Sequence, residues 1–194
     1  SVFENMWIGS FPTGPNRRDI LVGKGESKET SFNSWKNIET NEETLSGRLT
    51  DAGFLTMMIT DVQNGLANQR NMNKGFAHYV LNRGQEGDNM ETDFSADLDY
   101  PLDRKAVRYP EPMLQRVLMN RARRQFEDDY FAPKTYKMAG QWLERNYNLD
   151  NFFLWIEHFD PHEPWDPPPM VYRPIRSRLQ GPRHRVPALW VLSQ

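Results

Sequence analysis

FFLWIEHFDPHEPWDPP, residues 152–168, is the stretch that decides the fold. It opens on an unbroken apolar run, Phe152 to Ile156, rich in aromatic and β-branched side chains, the pattern of a strand covered on both faces in a parallel sheet. Pro161, Pro164, Pro167, Pro168 and Pro169 follow. None can donate to a ladder, so the chain beyond the strand is held in extended or turn conformations. His162 therefore falls on a stiff loop just past a strand's carboxyl end. Open α/β sheets bind ligands at that edge, and a rigid loop positions an imidazole for proton transfer. Taken alone, His162 reads first as an ordinary surface histidine of a proline-rich connection.

Near the amino terminus, residues 11–24 read FPTGPNRRDILVGK. Pro15 suits the first turn of a helix, where its missing N–H costs nothing, and Ile20 with Leu21 anchors that short helix to the core. Thr13 is then expected just ahead of the helix, where free amide donors and the dipole favour a tetrahedral oxyanion. Arg17 falls on the first turn, within reach of the Thr13 hydroxyl and of an incoming sulfate or phosphate. The segment reads as an anion site with a candidate nucleophile. A capping threonine beside a solvated arginine pair reads the same residues without any chemistry.

The rest of the chain alternates helix and strand. Thr40 to Glu43 forms a capping-box pattern, Leu45, Leu49 and Ala52 share a helical face, and Gly53 is placed to end that helix. The run from Phe54 to Thr60 follows at once as a strand. Residues 85–110 are acidic and irregular and read as an exposed excursion. Pro112 opens a helix expected to run to about Tyr130, with Arg121, Arg123 and Arg124 on a solvated flank. A second helix is expected from about Thr135 to Tyr147, with Met138, Trp142 and Leu143 apolar.

Taken together, the Thr13 and His162 segments resemble the sulfatase family of the alkaline-phosphatase superfamily. Its nucleophile motif runs Cys or Ser, any residue, Pro, Ser, Arg, two residues, an apolar pair, Thr and Gly; Thr13, Gly14, Pro15, Asn16, Arg17, Ile20, Leu21, Val22 and Gly23 occupy those places. A strand followed by DPHEPWDPP is similar to the family's later substrate-site signature, and residues 49–88 to its stretch of helix, strand, loop, Gly-Phe and Arg-Gly-Gln-Glu. The resemblance covers most of residues 2–173 in order. It implies an α/β fold with a mostly parallel sheet flanked by helices, present here as an incomplete catalytic domain over residues 1–172. The implied activity is metal-dependent hydrolysis of small-molecule or glycan sulfate esters, with Thr13, Arg17 and His162 catalytic and Asn16 and Asn64 binding substrate.

The departures from that pattern bear on chemistry. Sulfatases oxidise the motif's Cys or Ser to formylglycine, and threonine is not a recognised substrate for that step, so Thr13 points to direct attack, as in related phosphodiesterases, or to a non-catalytic anion-binding scaffold. Asn64 stands where similar sulfatases carry a histidine. The family's divalent cation, usually calcium, is held by two ligand pairs that the resemblance places outside this chain, so no metal ligand is assigned and the chain alone is expected to be inactive. Oxygen ligands suit such a hard ion. Asp93, Asp97, Asp99 and Asp103 read as solvated surface, and Pro161 between His158 and His162 rules out a helical zinc pair.

Composition sets the outer limits. The 194 residues carry a net charge of -2, which argues against general polyanion or nucleic-acid binding, and no cysteine, which excludes disulfides and thiolate metal sites. No apolar run approaches the roughly 20 residues that span a bilayer. The expectation is a soluble protein, cytoplasmic or periplasmic, without membrane contact. Residues 173–194 are arginine-rich, with Arg173, Arg176, Arg178, Arg183 and Arg185 close together, and read as a disordered or aberrant tail.

Overall fold

The computed structural model describes residues 2, 4–5, 7–24, 36–66, 70–92, 98, 111–122, 124–162 and 168. The tail at 173–194, Asp93, Asp97, Asp99, Asp103, Arg123 and the prolines at 164, 167 and 169 lie outside them. Among the described residues no helix is long and apolar enough to cross a membrane.

Three strands, β1 (Leu55–Thr60), β2 (His78–Leu81) and β3 (Phe152–Glu157), form a parallel sheet in the order β2-β1-β3. The α/β expectation holds at this level. Central β1 pairs Met57 with His78 on one side and with Leu154 on the other, and its last pair on the β3 side is Thr60 with Glu157. The fully covered strand is β1, buried from Thr56 to Thr60; β3 lies at the edge of the described sheet, with Phe152 and Ile156 exposed. This corrects the reading of β3 as covered on both faces: an apolar run cannot distinguish a central strand from an edge strand with one partner. β2, only four residues long, is an addition that the sequence reading did not contain.

Alternation along β1 and β3 sorts side chains onto two faces. Met57, Ile59 and Leu154 meet Met138, Ala139 and Trp142 of α4 (Phe131–Arg145). Phe131, Thr135 and Ala139, spaced four apart, are the buried stripe of that helix. On the opposite face, Trp155 packs with Leu21 and Val22 of α1 (Thr13–Val22) and with Ile38, Met72 and Phe76. The sheet is thus flanked by helices on both sides.

Local chemistry sets the helix ends. α1 starts at Thr13 itself, after Pro12, and ends at left-handed Gly23, whose N–H bonds Asp19 O at 2.8 Å. Thr13 is therefore the first helical residue and Pro15 the third, an earlier start than expected; a proline is tolerated anywhere in the first turn, so it does not mark the boundary. α2 (Leu45–Asp51) is capped by Thr44, whose hydroxyl accepts Gly47 N–H at 3.0 Å, and not by the expected box at Thr40 to Glu43. Its end is as read: Gly53 N–H bonds Thr50 O and Phe54 N–H bonds Leu49 O, a Schellman pair that turns the chain directly into β1.

α3 (Glu111–Ala122) is shorter than expected. The Asp129 carboxylate accepts the N–H groups of Gln125 and Phe126, each at 2.8 Å, and folds the chain into a 3-10 turn over Glu127–Asp129. α4 starts at once at Phe131, not Thr135, with Pro133 in its first turn. Arg124 is not simply solvated: its guanidinium lies 4.6 Å from the Tyr130 ring centre and 4.5 Å from that of Phe131.

Candidate functional site

The carboxyl ends of β1 and β3 and the first turn of α1 enclose a small cleft of about 10 Å³, room for about one water molecule. Thr13, Gly14 and Arg17 line it from α1; Met58, Thr60 and Glu157 line it from the sheet; Val62, Gly65 and Met72 close it from the loop after β1. The strand pairing Thr60 with Glu157 places both on the α1 face. The helix and the two strands are distant in sequence, so the cleft is a product of the fold and not of one local motif.

Two of the sequence-derived site residues meet here. Thr13 and Arg17, one turn apart on α1, share the cleft. Arg17 Nε donates to Glu157 Oε1 at 2.6 Å, and Trp155 Nε1 donates to Glu157 Oε2 at 3.0 Å, so both oxygens of this buried carboxylate are engaged. Among the described residues, the Arg17 terminal nitrogens, the Thr13 hydroxyl and the Thr13 and Gly14 N–H groups have no hydrogen-bond partner. These donors lie at the positive end of the ten-residue helix α1, where an anion is favoured. Neighbouring Arg18 turns away: it is 5% exposed and pairs with Glu42.

The other sequence-derived residues are placed elsewhere. Asn16 lies inside α1, donates its N–H to Pro12 O at 3.2 Å and does not cap the helix. The Asn64 side-chain amide donates to Glu86, and its backbone carbonyl accepts from Arg70 at 3.1 Å. His162 follows β3 as expected, but its ring packs on Phe159 with centres 4.1 Å apart, and it does not line the cleft. Neither asparagine lines it either.

The next residue on each strand faces the opposite way. Asp61, fully buried, accepts Phe159 N–H at 2.8 Å and the Thr135 hydroxyl at 3.3 Å, tying the exits of β1 and β3 to α4. Burial pushes its carboxyl up to about 6 against the opposing pull of those two donors. His158 meets the Tyr136 hydroxyl at 2.7 Å. Glu157 and Asp61 were missing from the sequence-derived site. The one sequence signal for Glu157 is an acidic residue directly continuing the apolar run FFLWI.

Among the described residues no three His, Cys, Asp or Glu side chains cluster to hold a metal ion. The expected divalent cation, calcium, has no ligand set among them. Compared with known protein-family models, curated proteins and solved structures, the chain matches none.

Proposed function

We propose that the cleft binds the charged group of a sulfate ester and that the chain is a sulfatase-like ester hydrolase domain, with Thr13 at the nucleophile position and Arg17 as the anion clamp. The observation that supports this reading is the placement of Thr13, Gly14 and Arg17 along one small cleft at the sheet's carboxyl edge, with the first α1 amides and the Arg17 terminal nitrogens left without partners among the described residues. Donors fixed before the substrate arrives stabilise charge on equatorial oxygens without reorganising. Attack by Thr13 Oγ1 on sulfur would form an O–S bond as the ester S–O bond breaks, with the hydroxyl proton passing to the departing oxygen to release the alcohol. Water would then cleave the covalent enzyme ester. His162 can serve as acid to the departing alcohol only with its ring turned from Phe159 toward the cleft.

An unmodified threonine hydroxyl supports a second reading, a phosphodiesterase or phosphonate hydrolase using the same cleft. In either reading the 194-residue chain is expected to bind the anion without turnover.

The deciding experiment is calorimetric titration of the chain with methyl sulfate. Saturable binding that weakens about tenfold or more in Arg17→Ala is expected, in line with a charge-assisted hydrogen bond. No binding, or binding indifferent to Arg17, overturns the proposal.

A further inference from the structure

We propose that Glu157 determines the charge class of the ligand, so that the cleft takes monoanionic esters, sulfate monoesters or phosphate diesters, in preference to dianionic phosphate monoesters. The inference rests on the anion-cleft reading and asks what the buried carboxylate in its wall does. Glu157 is 7% exposed, its Oε1 lies 2.6 Å from Arg17 Nε, and it lines the same cleft as Thr13. Trp155 holds the second oxygen, so the carboxylate cannot swing away from the guanidinium without breaking a partly buried hydrogen bond.

Arg17 and Glu157 together have almost no net charge. Arg17 still offers directional donors through its terminal nitrogens, which reward the shape of a tetrahedral oxyanion. A second negative charge on the ligand gains attraction from Arg17 but meets repulsion from Glu157 at similar range, in a setting less screened than bulk water. It also brings a larger desolvation penalty. Rejection by a like charge is a common route to specificity. A bare arginine at the same helix terminus would instead favour the dianion.

Methyl sulfate and methyl phosphate nearly share shape and differ by one charge at about pH 8, where the phosphate has lost its second proton. With the 194-residue chain, methyl sulfate should bind about tenfold or more tightly than methyl phosphate. In Glu157→Gln, which keeps the side-chain volume and removes the charge, that preference should shrink to about parity or reverse, chiefly through gain of methyl phosphate affinity. Equal affinity for the two ligands in the wild type, or an unchanged ratio in a folded Glu157→Gln, overturns the proposal while leaving the anion cleft intact. If Glu157→Gln fails to fold, the wild-type ratio alone decides. Absence of binding to either ligand overturns the cleft itself and this inference with it.

Discussion

Replacing Asp61 by asparagine should make the protein more stable at neutral pH, contrary to the usual cost of altering a fully buried polar residue. Burial raises the Asp61 carboxyl from 3.8 to about 6, despite hydrogen bonds from Phe159 N–H and Thr135 and the nearby charge of His158; the charge of Asp160 adds to the rise. Between those two pH values the folded protein holds a proton that the unfolded chain has lost. Stability from this group is therefore greatest below about pH 4, falls as pH rises toward 6, and is level above that. A gap of about two pH units corresponds to about 3 kcal/mol. The asparagine of Asp61→Asn has no such titration. Its oxygen can still accept Phe159 N–H, while its amide faces Thr135 Oγ1, which already accepts Asn82 Nδ2 at 3.1 Å. Rearranging that hydroxyl costs about 1 kcal/mol. The variant should thus be equal to or slightly below wild type near pH 4 and about 2 kcal/mol above it near pH 7.5. Urea unfolding followed by tryptophan fluorescence across that range measures both. Parallel stability profiles for the two proteins, or a carboxyl midpoint near 4 for Asp61 by carbon-13 NMR, would refute the reasoning.

Two further outcomes follow from backbone and ion-pair geometry. Gly75 has φ +83°, and a Cβ there would stand 2.4 Å from both Gly47 N and Thr44 Oγ1, so Gly75→Ala should lower stability by about 2–4 kcal/mol in urea titration; a loss within about 0.5 kcal/mol, the size of a surface change, would contradict the close approach. Asp88, 2% exposed, accepts Arg83 Nε and Nη2 at 2.5 Å each and Gly84 N–H at 2.9 Å. Burial alone would raise its carboxyl, but these donors outweigh it and hold it below the ordinary range. Asp88→Ala should cost about 2 kcal/mol near neutrality, less as pH falls through the lowered value of the native carboxyl, and a pH-independent cost would contradict the pairing.

The strands and helix stops were legible because each rests on a local rule. An apolar run bounded by turn residues marked β1 and most of β3, and Gly53 marked the end of α2 through the left-handed conformation that glycine adopts freely. Helix starts were less legible. Thr40 and Thr44 both precede plausible first turns, and only tertiary contacts select Thr44, whose hydroxyl also donates to Lys74 O at 3.1 Å. The length of α3 depended on Asp129 capturing two upstream N–H groups, and four residues at β2 are too few for periodicity to register.

The site was half legible for a related reason. Thr13 and Arg17 lie one turn apart on a single helix, so their spacing alone puts them on one face. Their partner Glu157 is set by parity along a strand 140 positions away in the chain. Counting from Trp155, Glu157 falls on the α1 face and His158 on the α4 face, and the register pairing Thr60 with Glu157 makes the same assignment for Thr60 and Asp61. A slip of one residue in β3 would exchange these roles, bringing His158 into the cleft and burying Glu157 against α4 beside Asp61. Two carboxylates so placed would repel each other without the Arg17 guanidinium to compensate either. The charges at the strand ends therefore favour the same register that the apolar side chains set, and the cleft carries a carboxylate in its wall as a consequence.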